Sequence, residues 1–319
     1  MPGLERESMT IDNASADVAA SWLESSARER LMGLLDADSF NEIVGPWERE
    51  VSPHLKQFNL PVSFDDGIAV GHALLSRRPV WVAAQEGQFM GGTFSEVAGA
   101  KLVGLLRVAR AFAERGHDRP VLLLLDSGGV RLQEANAGEL AVSEVIRALL
   151  QARSAGLRIV ALIGGRAGAF GGGGIATACC SDIVVSEHAR IGVTGPEVIE
   201  NNKGIEEFDS KDRALVWRIT GGRTRVLTGG ADRYAKDDID DFRRIVLELL
   251  TDPPALDLEL LKAEQRRLQD RLDCFGDCRD ALDIWRKRGW SHPEKLFNIS
   301  DEQFLKELRK SGEESHVAR

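Results

Sequence analysis

Twice in this chain an apolar run ends in a cluster of glycines that opens straight into a helix-like segment, and no other feature restricts the fold as much. Val121–Leu125 is followed by Asp126-Ser127-Gly128-Gly129-Val130-Arg131-Leu132-Gln133-Glu134. Leu157–Ile163 is followed by Gly164-Gly165-Arg166-Ala167-Gly168-Ala169-Phe170-Gly171-Gly172-Gly173-Gly174. Continuous apolar runs of this length suit strands buried on both faces, which occur in parallel sheets covered by helices. Parallel neighbours need a long crossover, usually a helix, and Ala137–Ser154 has the spacing to supply one. The chain is therefore of the α/β class.

The flanking pattern agrees. Gly67–Leu75 and Val80–Ala84 read as strands around a turn at Ser76-Arg77-Arg78-Pro79. Ala14–Leu35 and Glu96–Glu114 have helical spacing, Gly172–Cys180 reads as a small-residue helix, and Asp182–Ser186 as a strand. Beyond Thr194 the chain turns mostly helical, with Asp209–Ile219, Asp237–Leu250 and Leu256–Leu272 the clearest segments. Asp252-Pro253-Pro254 marks a break, because proline and the residue before it disfavour helix. Three parts follow: an N-terminal flexible or helical arm (1–26), an α/β domain (27–250) and a C-terminal helical extension (251–319). The extension carries Leu258, Leu261, Leu268, Leu272 and then Trp285, which fit either a solvated helix packed on the domain or an arm against a partner subunit.

Composition narrows the function. Lys and Arg number 41 against 50 Asp and Glu, so a duplex-binding surface has no global electrostatic support. No apolar run is as long as a membrane span, and residues 1–17 lack the basic-then-apolar order of a secretory leader. Cys179 and Cys180 lie in an apolar stretch and read as small buried hydrophobes. Cys274 and Cys278 have half the spacing of a metal site, but no second Cys/His pair stands near them, so no metal is expected. A reducing cytoplasm fits best, without nucleic-acid or membrane partners.

The glycine loops suggest chemistry. The first amides of a helix have no partner within the helix and lie at the positive end of its dipole. Glycine lets a ligand approach the backbone and permits positive φ. Two such loops at neighbouring strand ends can aim two N–H groups at one oxygen, an oxyanion hole that suits the charge of a thioester enolate. The competing reading is structural, since glycines after strands also serve tight turns. A dinucleotide site fits less well: the glycines depart from G-x-G-x-x-G, and the acidic Glu187 follows too soon. No P-loop and no G-x-S-x-G elbow is present.

These segments resemble the crotonase superfamily and, more closely, the carboxyltransferase subunits of biotin-dependent carboxylases. Asp126–Glu134 is similar to their D-S-G-G-A-R-x-Q-E segment, with Val130 in place of alanine. Gln85–Thr93, with Phe89-Met90-Gly91-Gly92, resembles their F-M-G-G-S segment. Gly168–Asp182 resembles the crotonase stretch in which a glycine triplet opens a helix leading to aspartate, and Arg28-Glu29-Arg30 through Phe40 resembles the carboxyltransferase opening. Within the family, Gly204–Arg218 followed by Thr220-Gly221-Gly222 looks like the β subunits of malonate decarboxylases. The four-cysteine zinc ribbon of bacterial acetyl-CoA carboxylase β subunits has no counterpart in the N-terminal region, and two-domain propionyl-type subunits are far longer.

The resemblance implies a crotonase-like ββα superhelix that decarboxylates a malonyl thioester borne on the CoA-like prosthetic arm of an acyl carrier protein. It implies a homologous γ subunit, the carrier protein and an acyl-carrier transferase subunit as partners, with no cofactor held covalently and no biotin. Gly128, Gly129, Val130, Gly172 and Gly173 are then the catalytic amides. Phe89, Met90, Gly91, Gly92, Arg166 and Gly168 are then candidates for holding the arm. The glutamate of crotonase hydratases falls at Ala176, so that acid/base is missing. Glu197 is a second acidic candidate, yet Thr194-Gly195-Pro196-Glu197 also reads as a capping box with proline in the first turn. Arg131, Gln133 and Glu134 either orient the first loop or form a solvated helix start, and Arg166 either meets an anion or is simply exposed. A carboxyltransferase passing the carboxyl group to biotin, and a non-catalytic scaffold half, are the alternative readings.

Overall fold

A computed structural model describes residues 20–59, 67–117, 119–250 and 256–310. The chain enters through a turn at Ser21–Ser25 and helix α1 (Ala27–Leu34), then passes through strand β1 (Asn41–Ile43) to the hairpin β2 (Ile68–Leu75) and β3 (Arg78–Gln85). Helix α2 (Glu96–Ala113) leads to β4 (Val121–Leu125), α3 (Asn136–Ser154) to β5 (Ile159–Ile163), and the short β6 (Ala169–Phe170) and α4 (Gly172–Ala178) to β7 (Asp182–Val185). After β8 (Ile191–Gly192) come α5 (Pro196–Lys203), α6 (Arg213–Thr220), α7 (Gly222–Leu227), β9 (Arg233–Tyr234) and α8 (Ile239–Leu249). Helices α9 (Leu258–Phe275), α10 (Ala281–Lys287) and α11 (Asp301–Lys310) complete it.

One sheet runs in the order β1-β2-β3-β4-β5-β7-β9. The β1–β2 and β2–β3 pairs are antiparallel and every later pair is parallel. The apolar runs of β4 and β5 pair without offset, Val121 opposite Ile159 through to Leu125 opposite Ile163. Alternate residues serve opposite faces. Leu122, Leu124, Val160 and Leu162 pack with α1 and α8 around Leu31, Leu34, Phe242 and Val246. Leu123, Leu125, Ala161 and Ile163 pack with α2 and α3 around Leu102, Leu106, Val145 and Leu149. Each large aliphatic side chain buried this way contributes about 1.5–3 kcal/mol.

A second layer of pairing crosses the carboxyl ends of the main strands. β6 pairs with β8, and isolated bridges join Phe94 to Val130, Ser127 to Ala169 and Arg190 to Gly221. Each turn of the chain is thus a long strand, a short second strand and a helix. The architecture is the crotonase-like ββα superhelix that the motifs implied.

Three expectations need correction. The N-terminal helix is shorter than Ala14–Leu35, because Ser26 caps α1: its side chain accepts from Glu29 N–H while Glu29 Oε2 accepts Ser26 N–H at 2.7 Å. Residues 20–26 also pack closely on the domain, with Trp22 fully buried and stacked on Phe242 at 4.0 Å. The helix near 209–219 starts at Arg213, since Asp212 accepts Leu215 N–H as its cap. The break at Asp252–Pro254 lies outside the described residues.

The C-terminal extension is two things at once. Trp285, Leu296, Phe304 and Leu308 are buried in the same core as β4 and β5. In α9, by contrast, no residue is buried, and Leu258, Leu261, Leu268 and Leu272 are all exposed. No helix among the described residues is long and apolar enough to cross a membrane.

Candidate active site

The unshifted pairing of β4 and β5 starts the two glycine loops side by side. Ser127 N–H donates to Gly168 O at 2.5 Å and Phe170 N–H donates to Ser127 O at 2.9 Å, which clamps the loops together. The Phe89–Gly92 loop closes from the other side, where Gly128 N–H donates to Gly91 O at 2.9 Å. Phe94 N–H donates to Gly129 O and Arg131 N–H to Phe94 O, at 2.8 and 2.9 Å.

Glycine is required where the loops meet. Gly129 has φ 129° and Gly171 φ 55°, and a methyl group on Gly171 would stand 3.5 Å from Gly129 Cα. The space over Gly129 is open, its nearest neighbour being Phe170 O at 4.0 Å from a built methyl. Gly172 and Gly173 open α4, where no carbonyl of the helix can reach their amides. The Val130 amide lies outside the bonds that join Phe94 to Gly129 and Arg131. The Gly128 amide, by contrast, is used by Gly91, and Gly129 N–H leans on Ser127 Oγ at 3.2 Å. The amides of Val130, Gly172 and Gly173 take no part in the bonds that clamp the loops together. Gly172 and Gly173 have no room for side chains, since built methyls would fall 2.5 Å from Val142 Cγ1 and 2.9 Å from Ser127 Cβ.

The polar residues around these loops are mostly positioning groups. Arg131 and Glu134 are buried and pair at 3.5 Å; Glu134 Oε2 accepts Glu96 N–H at 2.7 Å, and the Arg131 guanidinium lies 5.7 Å over the Phe89 ring. Both are packed beneath the first loop rather than solvated, while Gln133 is exposed. Glu96 also takes His54 Nδ1 at 2.5 Å and Ser52 Oγ at 2.6 Å. Met90 is exposed, and Gly91 and Gly92 take φ of 67° and 64°. Arg166 is exposed and paired with Glu24, and Gly168 gives its amide to Asp126. Behind the second loop, Arg190 stacks on Phe170 and Trp217, and burial lowers its pKa from the ordinary guanidinium value.

Glu197 does not complete a capping box. Helix α5 starts at Pro196 with Gly195 as its cap, so Thr194 falls one residue too early and makes no cap bond. Glu197 is exposed, and its charge acts on Arg190. Burial pushes the thiols of Cys179 and Cys180 above their usual pKa, which disfavours the thiolate form. Cys274 and Cys278 are free, and among the described residues no group of three His, Cys, Asp or Glu side chains could hold a metal ion.

Two residues inside the quoted motifs carry no role in the sequence reading, Arg30 and Asp126. Asp126 directly follows β4 and is buried against Arg30 of α1, Nη1 to Oδ2 at 3.0 Å. The signal was present: Arg30 falls on the face defined by Ala27, Leu31 and Leu34, and a charge on an apolar helix face needs a buried partner.

Known proteins resemble this chain along most of its length. The profile of the carboxyl transferase domain family matches residues 24–265. A malonyl-S-ACP:biotin-protein carboxyltransferase of Malonomonas rubra is 35% identical over 307 residues, spanning 91% of this chain and 96% of that protein. The methylmalonyl-CoA carboxyltransferase 12S subunit of Propionibacterium freudenreichii subsp. shermanii is 26% identical, and this chain spans 49% of it. A chain of a Pseudomonas malonate decarboxylase hetero-tetramer, solved with malonate, superposes with a TM-score of 0.76 and 40% identity over 85% of this chain and 98% of that one. A chain of a Pseudomonas malonate decarboxylase hetero-dimer gives 0.64 and 38%. Motifs, strand order and whole-length similarity converge: this chain belongs to the carboxyl transferase domain family, and along most of its length it is similar to a malonate decarboxylase subunit.

Proposed function

We propose that this chain is the β subunit of a malonate decarboxylase, acting on a malonyl thioester borne by an acyl carrier protein together with a homologous γ subunit. One observation carries the reading: the two glycine loops meet at Gly129 and Gly171, the position over Gly129 is open, and the neighbouring amides of Val130, Gly172 and Gly173 take no part in the bonds that clamp the loops. A thioester oxygen held there accepts two N–H bonds. As the bond from the α-carbon to the carboxylate breaks, CO2 leaves and the electron pair moves onto that oxygen as an enolate. The amides bind this charge more strongly than the neutral carbonyl, which is the condition for lowering the barrier. Protonation at the α-carbon then gives the acetyl thioester. The carrier's CoA-like arm brings the substrate in, and a transferase subunit of the same system reloads it. The relatives solved as a hetero-tetramer and a hetero-dimer support a partner subunit.

A second reading is favoured by the relative from Malonomonas rubra, which is described as passing a carboxyl group to a biotin protein. The two differ in where the carboxyl group goes, and the enolate chemistry is shared. The test is CO2 release from malonyl-carrier by this chain alone and with its γ partner, without biotin. We expect release that requires both subunits. Release only after a biotin carrier is added would assign the chain to carboxyl transfer.

A further inference from the structure

The Arg30–Asp126 ion pair lies beneath the glycine loops and touches each segment that shapes them. Asp126 Oδ1 accepts Ala167 N–H at 2.7 Å and Gly168 N–H at 3.1 Å, while Oδ2 takes Arg30 Nη1 at 3.0 Å. Each side chain is 3% exposed. Two glycines make room for the carboxylate: a methyl on Gly165 would fall 1.9 Å from Oδ2, and one on Gly87 would fall 2.4 Å from it. Arg30 is itself fixed, with Nε donating to Trp22 O at 2.8 Å and the guanidinium 5.5 Å over the Trp22 ring. From the same helix, Ala27 N–H donates to Glu86 Oε2 at 2.9 Å, which ties down the start of the third loop.

A buried ion pair is weak evidence for stability, because desolvating both charges offsets their attraction. What this one supplies is geometry. Its two oxygens are committed in opposite directions, so the carboxylate cannot rotate without losing a partner. The segment it grips feeds the site directly: Gly168 O receives Ser127 N–H, and Ser127 O receives Phe170 N–H, one residue before Gly171.

We infer that the Arg30–Asp126 pair positions the two glycine loops against each other and so sets turnover rather than substrate affinity. This rests on the loops being the enolate-stabilising site. A misplacement of about 1 Å at such a site lowers rate about a hundredfold.

The experiment uses the assembled complex with its partner subunit, measuring kcat, KM and deuterium exchange at Ala167 and Gly168. For Asp126→Ala we expect kcat to fall roughly tenfold to a hundredfold with KM within about twofold, and the two amides to exchange faster. Gly165→Ala presses a methyl onto the carboxylate without removing a charge and should lower kcat in the same way. The double variant Arg30→Met with Asp126→Asn leaves no buried charge and keeps an Oδ1 acceptor for both amides, so it should recover most of the turnover and protection. If Asp126→Ala does not fold, Gly165→Ala and the double variant carry the test. Faster exchange with unchanged kcat per assembled complex, or a raised KM at constant kcat, would overturn the inference. A wild-type complex that releases no CO2 and transfers no carboxyl group would instead remove the enolate reading, while exchange at the two amides still reports whether Asp126 holds the loop.

Discussion

At the scale of single residues, the site is made of backbone, and so glycine is its most telling side chain. Gly129 combines φ 129° with open space above it, so Gly129→Ala clashes with nothing and acts through the backbone alone. We expect kcat to fall by about a hundredfold, as for a displacement of about 1 Å of the adjoining Val130 amide, with thermal unfolding shifted by only a few degrees. Steady-state kinetics and a melting curve on the same sample check it, and unchanged turnover would favour a scaffold role for this loop. The glycines were legible in sequence because only glycine takes such dihedrals cheaply. Which amide is free was not. Gly128 N–H meets Gly91 O, a partner 37 residues away on another loop, and Gly129 N–H meets Ser127 Oγ, so no local pattern singles out the Val130 amide that follows them. The pairing of Arg30 with Asp126 is hidden in the same way.

Among elements, those with strong periodicity were legible and those set by caps were not. The strands β4 and β5 and the helices α2, α3 and α8 fall within a residue or two of their expected bounds, since each has a continuous apolar run or face. α1 and α6 are shorter than their apolar spacing suggests, because Ser26 and Asp212 stop the helix with side-chain bonds that spacing does not register. The β2–β3 hairpin shows what a single carboxylate does at this scale. Its two-residue turn, Ser76-Arg77, holds φ of 49° and 64°, which L residues resist. Asp36 accepts both turn amides, at 2.8 and 2.7 Å, and Arg243 at 2.6 Å. The bond from Arg77 N–H, then that from Arg243, holds the Asp36 carboxyl below its ordinary range. A depressed folded pKa contributes stability that is fully present above the unfolded value and lost as pH falls through the folded one. Wild type should therefore lose more stability than Asp36→Asn between about pH 5 and about pH 2. Urea midpoints across that range test it, and parallel curves would contradict it.

For the whole molecule, the core draws on both ends of the described chain. Residues 20–26 and the helices after Ala281 belong to the core, a fact invisible locally because Trp22 and Trp285 find their partners far along the chain. Trp285 is fully buried, so Trp285→Ala should cost about 3–5 kcal/mol, read as a shift in the unfolding midpoint. A shift below about 1 kcal/mol would mean that the C-terminal helices are an appendage. Arg223 shows the depth of the connection: its guanidinium donates to Leu296 O, Ile299 O, Glu187 and Asp301 at 2.6–3.0 Å. Both ends of the described chain are stitched to one short stretch. Ser21 and Leu23 bond Asp237, Ala20 O takes Ile239 N–H, Tyr234 bonds Asp301 and Lys236 bonds Glu302. During synthesis this arrangement imposes a delay. Ser21 leaves the ribosome 216 residues ahead of Asp237, roughly ten to forty seconds at ordinary elongation rates. Through that interval Trp22 has no Phe242 to stack on, so the nascent chain carries an uncovered aromatic surface that a chaperone can hold until the segment that closes the fold arrives.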